Sequence, residues 1–151
     1  MTTSTAYQVT DLARSHRAVV EAGRSGAGAL IRDKDGLLLV LHRAEDAETK
    51  ERLVRLLLAY AEAGLQLELP REERSPLAYR DLAWIVPLDD EEQREFLSGL
   101  LDAVAVAAVG GPIGALDELL YDWKATAEVA ADRSLADELS EDIPEPHGSP
   151  V

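Results

Sequence analysis

The feature that most constrains the fold is a pair of apolar runs separated by four polar residues between positions 29 and 41. Ala29 to Arg32 and Leu37 to Leu41 are typical of strands. Asp33-Lys34-Asp35-Gly36 between them is typical of a tight turn in which the glycine takes a positive φ. The second run is almost purely apolar, which favours a strand buried on both faces. The pattern therefore predicts a β-hairpin within the first third of the chain.

The residues before the hairpin are typical of a short strand followed by a helix. Ala6 to Val9 predicts an edge strand, and Thr10 is placed as a helix N-cap because its hydroxyl can accept a hydrogen bond from an orphan backbone amide. Apolar residues then recur at helical spacing until the run Gly23 to Gly28, where we expect the helix to end. A strand–helix–hairpin unit of this size buries little core, so we expect two copies to pair into a homodimer.

The middle of the chain is expected to mix helix, loop and extended segments. Ala47 to Ala63 predicts a helix that Gly64 closes, and the alternation from Leu65 to Leu69 predicts a short strand. Pro70 to Pro76 is a charged loop and the best candidate for a domain boundary. Leu77 to Val86 is expected to be extended.

The last third predicts amphipathic helices. Asp89 to Glu92 opens one, since negative charge is favoured at a helix N-terminus, and Gly110 to Pro112 stops it. Another begins near Ile113, and Asp132 is expected to cap a last short one. We therefore predict an α+β protein with a small N-terminal domain of residues 1–64, a mainly helical acidic region of residues 65–140 and a disordered tail of residues 141–151.

Charge is unevenly distributed along the chain. The first 43 residues carry six basic and four acidic side chains, a balance of +2, and the remainder carries nine basic and 25 acidic side chains, a balance of −16. Such asymmetry indicates different partners for the two parts of the chain, with an acidic solubilising tail as the alternative.

Composition excludes several classes of site. The chain has no cysteine, so it has no disulfide, no thiolate zinc site and no thiol catalysis. The N-terminus lacks the pattern of a signal peptide, and the least polar stretch, Leu100 to Leu116, contains Asp102, Gly110, Gly111 and Pro112 and is a poor membrane span. We expect a cytoplasmic protein with no membrane partner.

No pattern in the sequence is typical of an enzyme, a metal site or a cofactor site. Asp33-x-Asp35-Gly36 has its glycine two positions too early for a calcium loop. The glycines from Gly23 to Gly28 match neither a nucleophile elbow nor a dinucleotide fingerprint. His16, His42 and His147 are too scattered for a local metal motif. We expect no enzymatic activity, no bound metal and no cofactor.

Arginines near the N-terminus provide the main binding signal. Arg14 and Arg17 lie three positions apart and should share a helix face. With Thr10 and Ser15 nearby they could present hydrogen-bond donors to phosphates or to groove edges of DNA. The alternative is that they are ordinary surface arginines.

The first third of the chain also resembles a known family. Val9-Thr10-Asp11-Leu12-Ala13-Arg14, a helix that ends in glycines, and the stretch from Leu30 to Leu41 resemble the N-terminal domain of the Phd/YefM antitoxins. The resemblance covers roughly Tyr7 to Leu58. The turn departs from many relatives because it carries Asp33 and Asp35 where they are more uniformly basic.

This resemblance implies a type II antitoxin that represses its own operon and neutralises a toxin. It implies a homodimer whose N-terminal domain binds operator DNA and whose C-terminal segment, about residues 113–140, covers a cognate toxin protein. The expected DNA-binding residues are Thr10, Arg14, Ser15, Arg17, Arg32 and Lys34. The expected toxin-binding residues are Leu116, Leu120, Trp123, Ala127, Leu135 and Leu139.

Two other functions remain open from the sequence. The first is a protein-interaction module of the same fold without DNA binding, which the overall acidity and the two turn aspartates favour. The second is an enzyme with an unrecognised carboxylate site around Asp89 to Glu92 and Tyr79. Buried carboxylates with perturbed pKa values would support the enzyme, whereas a solvated cluster would not.

Overall fold

The computed structural model describes residues 6–141. The chain divides into two compact units between Arg52 and Leu53. This division falls inside a helix, α3 (Ala44–Leu67), and not after residue 64 where the sequence pattern placed it. The described part combines several helices with one small sheet, which confirms the expected α+β class.

The first unit is a three-stranded sheet with two short helices. Its strands lie in the order β1-β2-β3, with β1 parallel to β2 and β3 antiparallel to β2. Ile31 at the centre of β2 faces Tyr7 on one side and Leu39 on the other. The elements are β1 (Ala6–Gln8), α1 (Val9–Arg14), α2 (His16–Arg24), β2 (Ala29–Arg32) and β3 (Leu38–Leu41).

Local chemistry sets the turns of this unit. Gly36 has a φ of 81° in the hairpin turn, as the sequence predicts, and the Asp33 carboxylate accepts a 2.7 Å hydrogen bond from the backbone amide of Lys34. Gly28 has a φ of 72°, and a Cβ there would lie 2.9 Å from the carbonyl oxygen of Leu41. Only glycine avoids both the strain and the close contact.

The first unit differs from the sequence expectation at its helix. The predicted single helix is two helices separated at Ser15, and Thr10 lies inside α1 instead of capping it. Gln8 occupies the N-cap position instead, and its backbone amide donates to the Asp11 carboxylate at 2.8 Å. An acidic side chain inside the first turn therefore takes part in the cap that the threonine was expected to provide.

Strand β3 is not buried on both faces in a single copy. Leu38, Leu39 and Val40 are 51%, 47% and 52% exposed, and the small core of this unit is confined to Val19, Ala29 and Ile31 with their neighbours. The expectation was wrong because the core of the first unit reaches β3 through Leu41, which leaves the side chains of Leu38, Leu39 and Val40 half exposed on both faces of the sheet.

The second unit is helical. After α3, a 3₁₀ segment (Pro76–Ile85) leads into α4 (Asp90–Ala108) and α5 (Gly114–Glu141). Gly64 does not end α3, residues 65–69 form no strand, and Leu77 to Val86 is not extended. The predicted last two helices are one continuous α5, so Asp132 is not a cap. The predicted tail lies outside the described residues, apart from Glu141 at the end of α5.

Aromatic rings form the centre of the second core. Phe96 packs edge-to-face against Trp84 at 5.0 Å and Trp123 at 5.8 Å between ring centroids. Tyr79 belongs to the same core, and its hydroxyl lies 3.3 Å from Oε1 of the buried Gln93. This core draws one ring or more from the 3₁₀ segment, α4 and α5, which ties the three together.

We predict that Phe96→Ala lowers the free energy of unfolding by about 3–5 kcal/mol, because the deletion empties the space between two indole rings. Urea denaturation followed by circular dichroism measures this change. Leu77→Ala is the control, since Leu77 is 89% exposed and should change stability by less than about 0.5 kcal/mol. Equal midpoints for the two variants would contradict the described core.

Candidate functional site

The six predicted DNA-binding residues all lie on the surface of the first unit. Arg14 is the last residue of α1, Ser15 separates the helices, and Arg17 is in the first turn of α2. Thr10 is in α1, Arg32 ends β2 and Lys34 lies in the hairpin turn. Their exposed side chains can reach a partner.

The break at Ser15 corrects the expected geometry of the arginines. Ser15 has φ −137° and ψ 39°, and its carbonyl accepts from the amide of Ala18 at 3.0 Å to begin α2. Arg14 and Arg17 therefore do not share a face of one regular helix, because a non-helical residue stands between them. A shallow recess brings Arg17 together with Ser15, Ala18 and Glu21 but does not include Arg14.

Acidic groups moderate the charge of this surface. The Glu21 carboxylate lies 3.8 Å from Arg24, and both side chains are exposed. The sequence through Arg52 holds eight basic and eight acidic residues, so the first unit has no net charge, whereas the second carries seven basic and 21 acidic residues. Any attraction of the first unit for phosphates therefore depends on where its cations face and not on its total charge.

Four of the six predicted toxin-binding residues belong to the core of the second unit. Leu116, Leu120 and Ala127 are buried, and Trp123 packs against Phe96. Leu116, Leu120 and Ala127 are therefore not available to a partner in this conformation, and Trp123 is partly buried, which corrects the prediction for this part of α5. Helical periodicity showed that one side of α5 is covered, but it could not show that the chain itself covers it.

The end of α5 keeps the remaining two predicted residues accessible to a partner. Leu135 and Leu139 are 57% and 62% exposed, one turn apart on a stretch in which all residues from 131 to 141 are exposed. Four acidic side chains accompany one basic side chain in this stretch: Asp132, Asp137, Glu138 and Glu141, with Arg133.

The carboxylates at the start of α4 have structural partners. Asp89 caps the helix: its carboxylate accepts from the amide of Glu92 at 2.8 Å, and the Glu92 carboxylate accepts from the amide of Asp89 at 3.0 Å. This capping box accounts for two acids of the cluster that might have formed an enzyme site. A groove of about 460 Å³ lies beside them, lined also by Thr126, Val129 and Arg133 of α5.

A third acid, Asp90, is held by two arginines that the sequence pattern left in a loop. Arg74 donates from Nη1 and Nη2 to the two carboxylate oxygens at 2.7 and 2.8 Å, and Arg71 donates to Oδ1 at 3.0 Å. Nε of Arg74 also donates to the carbonyl of Leu69 at 2.9 Å, just past the end of α3. The side chain of Arg74 is only 8% exposed.

The cluster fixes the ionisation of Asp90. Arg74, and after it Arg71, hold the pKa of the Asp90 carboxyl well below its usual range. A carboxylate kept ionised in this way is a poor general acid at neutral pH. The cluster joins the end of α3 to the start of α4, so residues 70–76 are a packed connection and not a linker. The sequence signal for this cluster is the presence of two arginines, Arg71 and Arg74, shortly before the acidic start of a helix.

Within residues 6–141 no three histidine or carboxylate side chains are grouped so as to hold a metal ion. In the same part of the chain, no helix combines the length and apolar character needed to cross a bilayer. Neither a protein-family model nor a curated protein nor a solved structure matches the chain.

We predict that Asp90→Asn lowers the free energy of unfolding by about 1–2 kcal/mol at pH 7, because it removes the charge of a partly exposed carboxylate that accepts three hydrogen bonds from Arg71 and Arg74. The folded-state pKa of Asp90 lies below its unfolded value, so the pair stabilises the fold above the unfolded pKa and loses this effect as pH falls toward the folded one. The difference between wild type and variant should therefore shrink below about pH 4.

Urea unfolding at a series of pH values measures this difference. Asp102→Asn, an exposed position on the same helix, is the matched control and should change stability little at pH 7. A difference between wild type and Asp90→Asn that stays constant across the acidic range would contradict the assigned ion pair.

Proposed function

We propose that this chain is an antitoxin of the type II class: a cytoplasmic homodimer that binds the operator of its own operon and neutralises a toxin by protein binding. The observation that carries the proposal is the first unit. Its order of strand, helix, strand, glycine turn, apolar strand and helix is the one that the resemblance to Phd/YefM antitoxins implies, except that the helix is broken in two at Ser15, and its arginines are exposed.

The apolar edge strand supports the homodimer. An edge strand with exposed Leu38, Leu39 and Val40 invites pairing with another strand, and native proteins usually cover or blunt such edges. A second copy related by a two-fold axis would cover the same residues in both chains at once. The dimer would then present two symmetry-related sets of arginines, one from each copy, as a palindromic operator requires.

The exposed cations support the DNA-binding role. Arg14, Arg17 and Lys34 can contact phosphates, and Thr10 and Ser15 can add neutral donors. Phosphate contacts would supply most of the affinity and make it depend on salt.

The end of α5 supports the toxin-neutralising role. Leu135 and Leu139 form a short apolar ridge on an exposed acidic helix, the form in which an amphipathic helix enters a groove on a partner. The surrounding carboxylates would steer the helix toward a basic surface. The proposed contact is therefore smaller than the sequence pattern indicated, because Leu116, Leu120, Trp123 and Ala127 serve the core.

A second candidate is a protein-interaction module of this fold without DNA binding. The observation that favours it is the equal number of acidic and basic residues in the first unit, with Asp33 and Asp35 in the turn itself. Both candidates share the partner-binding α5, and the operator titration below distinguishes them.

We predict that Arg14→Ala/Arg17→Ala weakens binding to duplex DNA from upstream of the chain's own gene. The slope of log affinity against log salt should become less steep by up to about four, because a dimer of the variant can neutralise four fewer phosphates. Fluorescence anisotropy titrations at several salt concentrations measure this slope.

Arg94→Ala/Arg133→Ala is the matched control, because it removes the same charge from exposed positions of the second unit. It should leave the slope near that of the wild type. Equal slopes for both double variants would remove Arg14 and Arg17 from the DNA site. Wild-type binding no tighter than that of an unrelated duplex would favour the module without DNA binding.

We predict that Leu135→Asp/Leu139→Asp abolishes neutralisation of the toxin encoded beside this gene, because it places charge on the apolar ridge. Growth of cells that express both proteins reports neutralisation, and co-purification of the two proteins reports binding. Leu77→Asp/Val109→Asp, at exposed positions of the same unit, is the control and should behave as the wild type. Full rescue by the Leu135→Asp/Leu139→Asp variant would contradict the assigned contact.

A further inference from the structure

Helix α3 is apolar on two opposite sides. One side packs into the core of the second unit through Leu53, Leu56, Ala59, Ala63 and Leu67. The other side carries Val54, Leu58, Ala61 and Leu65, four residues that we call the α3 seam. Val54, Leu58 and Leu65 are 56%, 52% and 64% exposed. A surface helix normally has one apolar stripe, which faces its own core, so a second apolar row on the opposite side of α3 indicates a missing partner.

The spacing of the seam is that of a helix–helix contact. Its residues are separated by four, three and four positions, which is the alternation that keeps an apolar stripe on one side of a helix against a partner helix. Isolated exposed leucines are ordinary, but an aligned row over three turns forms a continuous patch.

Gly64 lies next to the seam and favours a helix–helix contact there. Glycine disfavours the interior of a helix, and a Cβ at Gly64 would meet no atom within 4 Å, so no neighbour in the chain requires it there. The bare backbone leaves room for a second helix to approach. A recess of about 370 Å³ of mixed polar and apolar lining runs from Ala61 and Gly64 toward Leu101 of α4.

The charged side chains beside the seam favour a second copy of α3 as the partner. Arg55 and Glu62 flank it two turns apart on the same side. When two copies of α3 pair antiparallel about a two-fold axis between Leu58 and Ala61, Arg55 of each copy comes beside Glu62 of the other. The exposed ion pairs Arg55–Asp81 at 3.6 Å and Glu62–Arg80 at 3.7 Å would extend into this network.

We propose that the α3 seam binds the α3 seam of a second copy of this chain in antiparallel orientation. This surface is separate from the edge strand β3, and it does not depend on DNA or toxin binding.

The first test compares the masses of two variants of the full chain by sedimentation equilibrium. Leu58→Glu/Leu65→Glu introduces charge into the seam and should raise the dissociation constant of one association step by at least about tenfold. Leu77→Glu/Val109→Glu adds the same charge at exposed positions outside the seam and should keep the wild-type mass. Identical masses for both variants would overturn the proposal, whatever the outcome of the DNA and toxin experiments.

The second test uses the absence of native cysteines to fix the orientation. In the antiparallel pair, Ala61→Cys lies within about 5 Å of its counterpart along the helix axis and should form an intermolecular disulfide under mild oxidation. Val54→Cys lies about 16 Å from its counterpart and should not. A parallel pair would link both variants. A disulfide at Val54, or none at Ala61, would overturn the antiparallel contact.

Discussion

The proposed association of this protein depends on apolar side chains that are exposed to water in a single copy. Leu38, Leu39 and Val40 on β3, and the α3 seam, project from elements whose other residues pack into the two cores. The first unit has few buried residues of its own, so covering β3 would add a large part of its stability. The proposed dimer and the proposed α3 contact are two ways of removing this surface from water.

Electrostatics divides the chain into parts suited to different partners. The first unit is neutral overall with exposed arginines, and the second is strongly acidic. In the second unit, the Arg71–Arg74–Asp90 cluster and the capping box use several charges internally, while those around Leu135 and Leu139 stay in solvent. The proposed operator contact uses the unit without net charge, and the proposed toxin contact uses the acidic unit.

Signals from neighbouring residues correctly predicted local structure, but predictions failed where contacts between residues distant in sequence determine the structure. Gly36 and the Asp89 helix start were correct because turns and helix starts depend on neighbours. Residues 70–76 were predicted to be a boundary loop, because the sequence pattern did not show that Arg74 pairs with Asp90, 16 positions away. Periodicity located Leu116, Leu120 and Ala127 on one side of a helix but could not name what covers them. The exposure of Arg14 and Arg17 was expected. The helix that was expected to give them a common face is broken at Ser15, and no glycine or proline at that position indicates the break in the sequence.

Sedimentation equilibrium of the full wild-type chain tests most directly whether the uncovered apolar surface joins copies together. We expect a weight-average mass of at least twice the 16.4 kDa of one chain at micromolar concentration, with a decrease on dilution. A mass of 16.4 kDa at every concentration would contradict it, because β3 and the α3 seam would then remain exposed in solution.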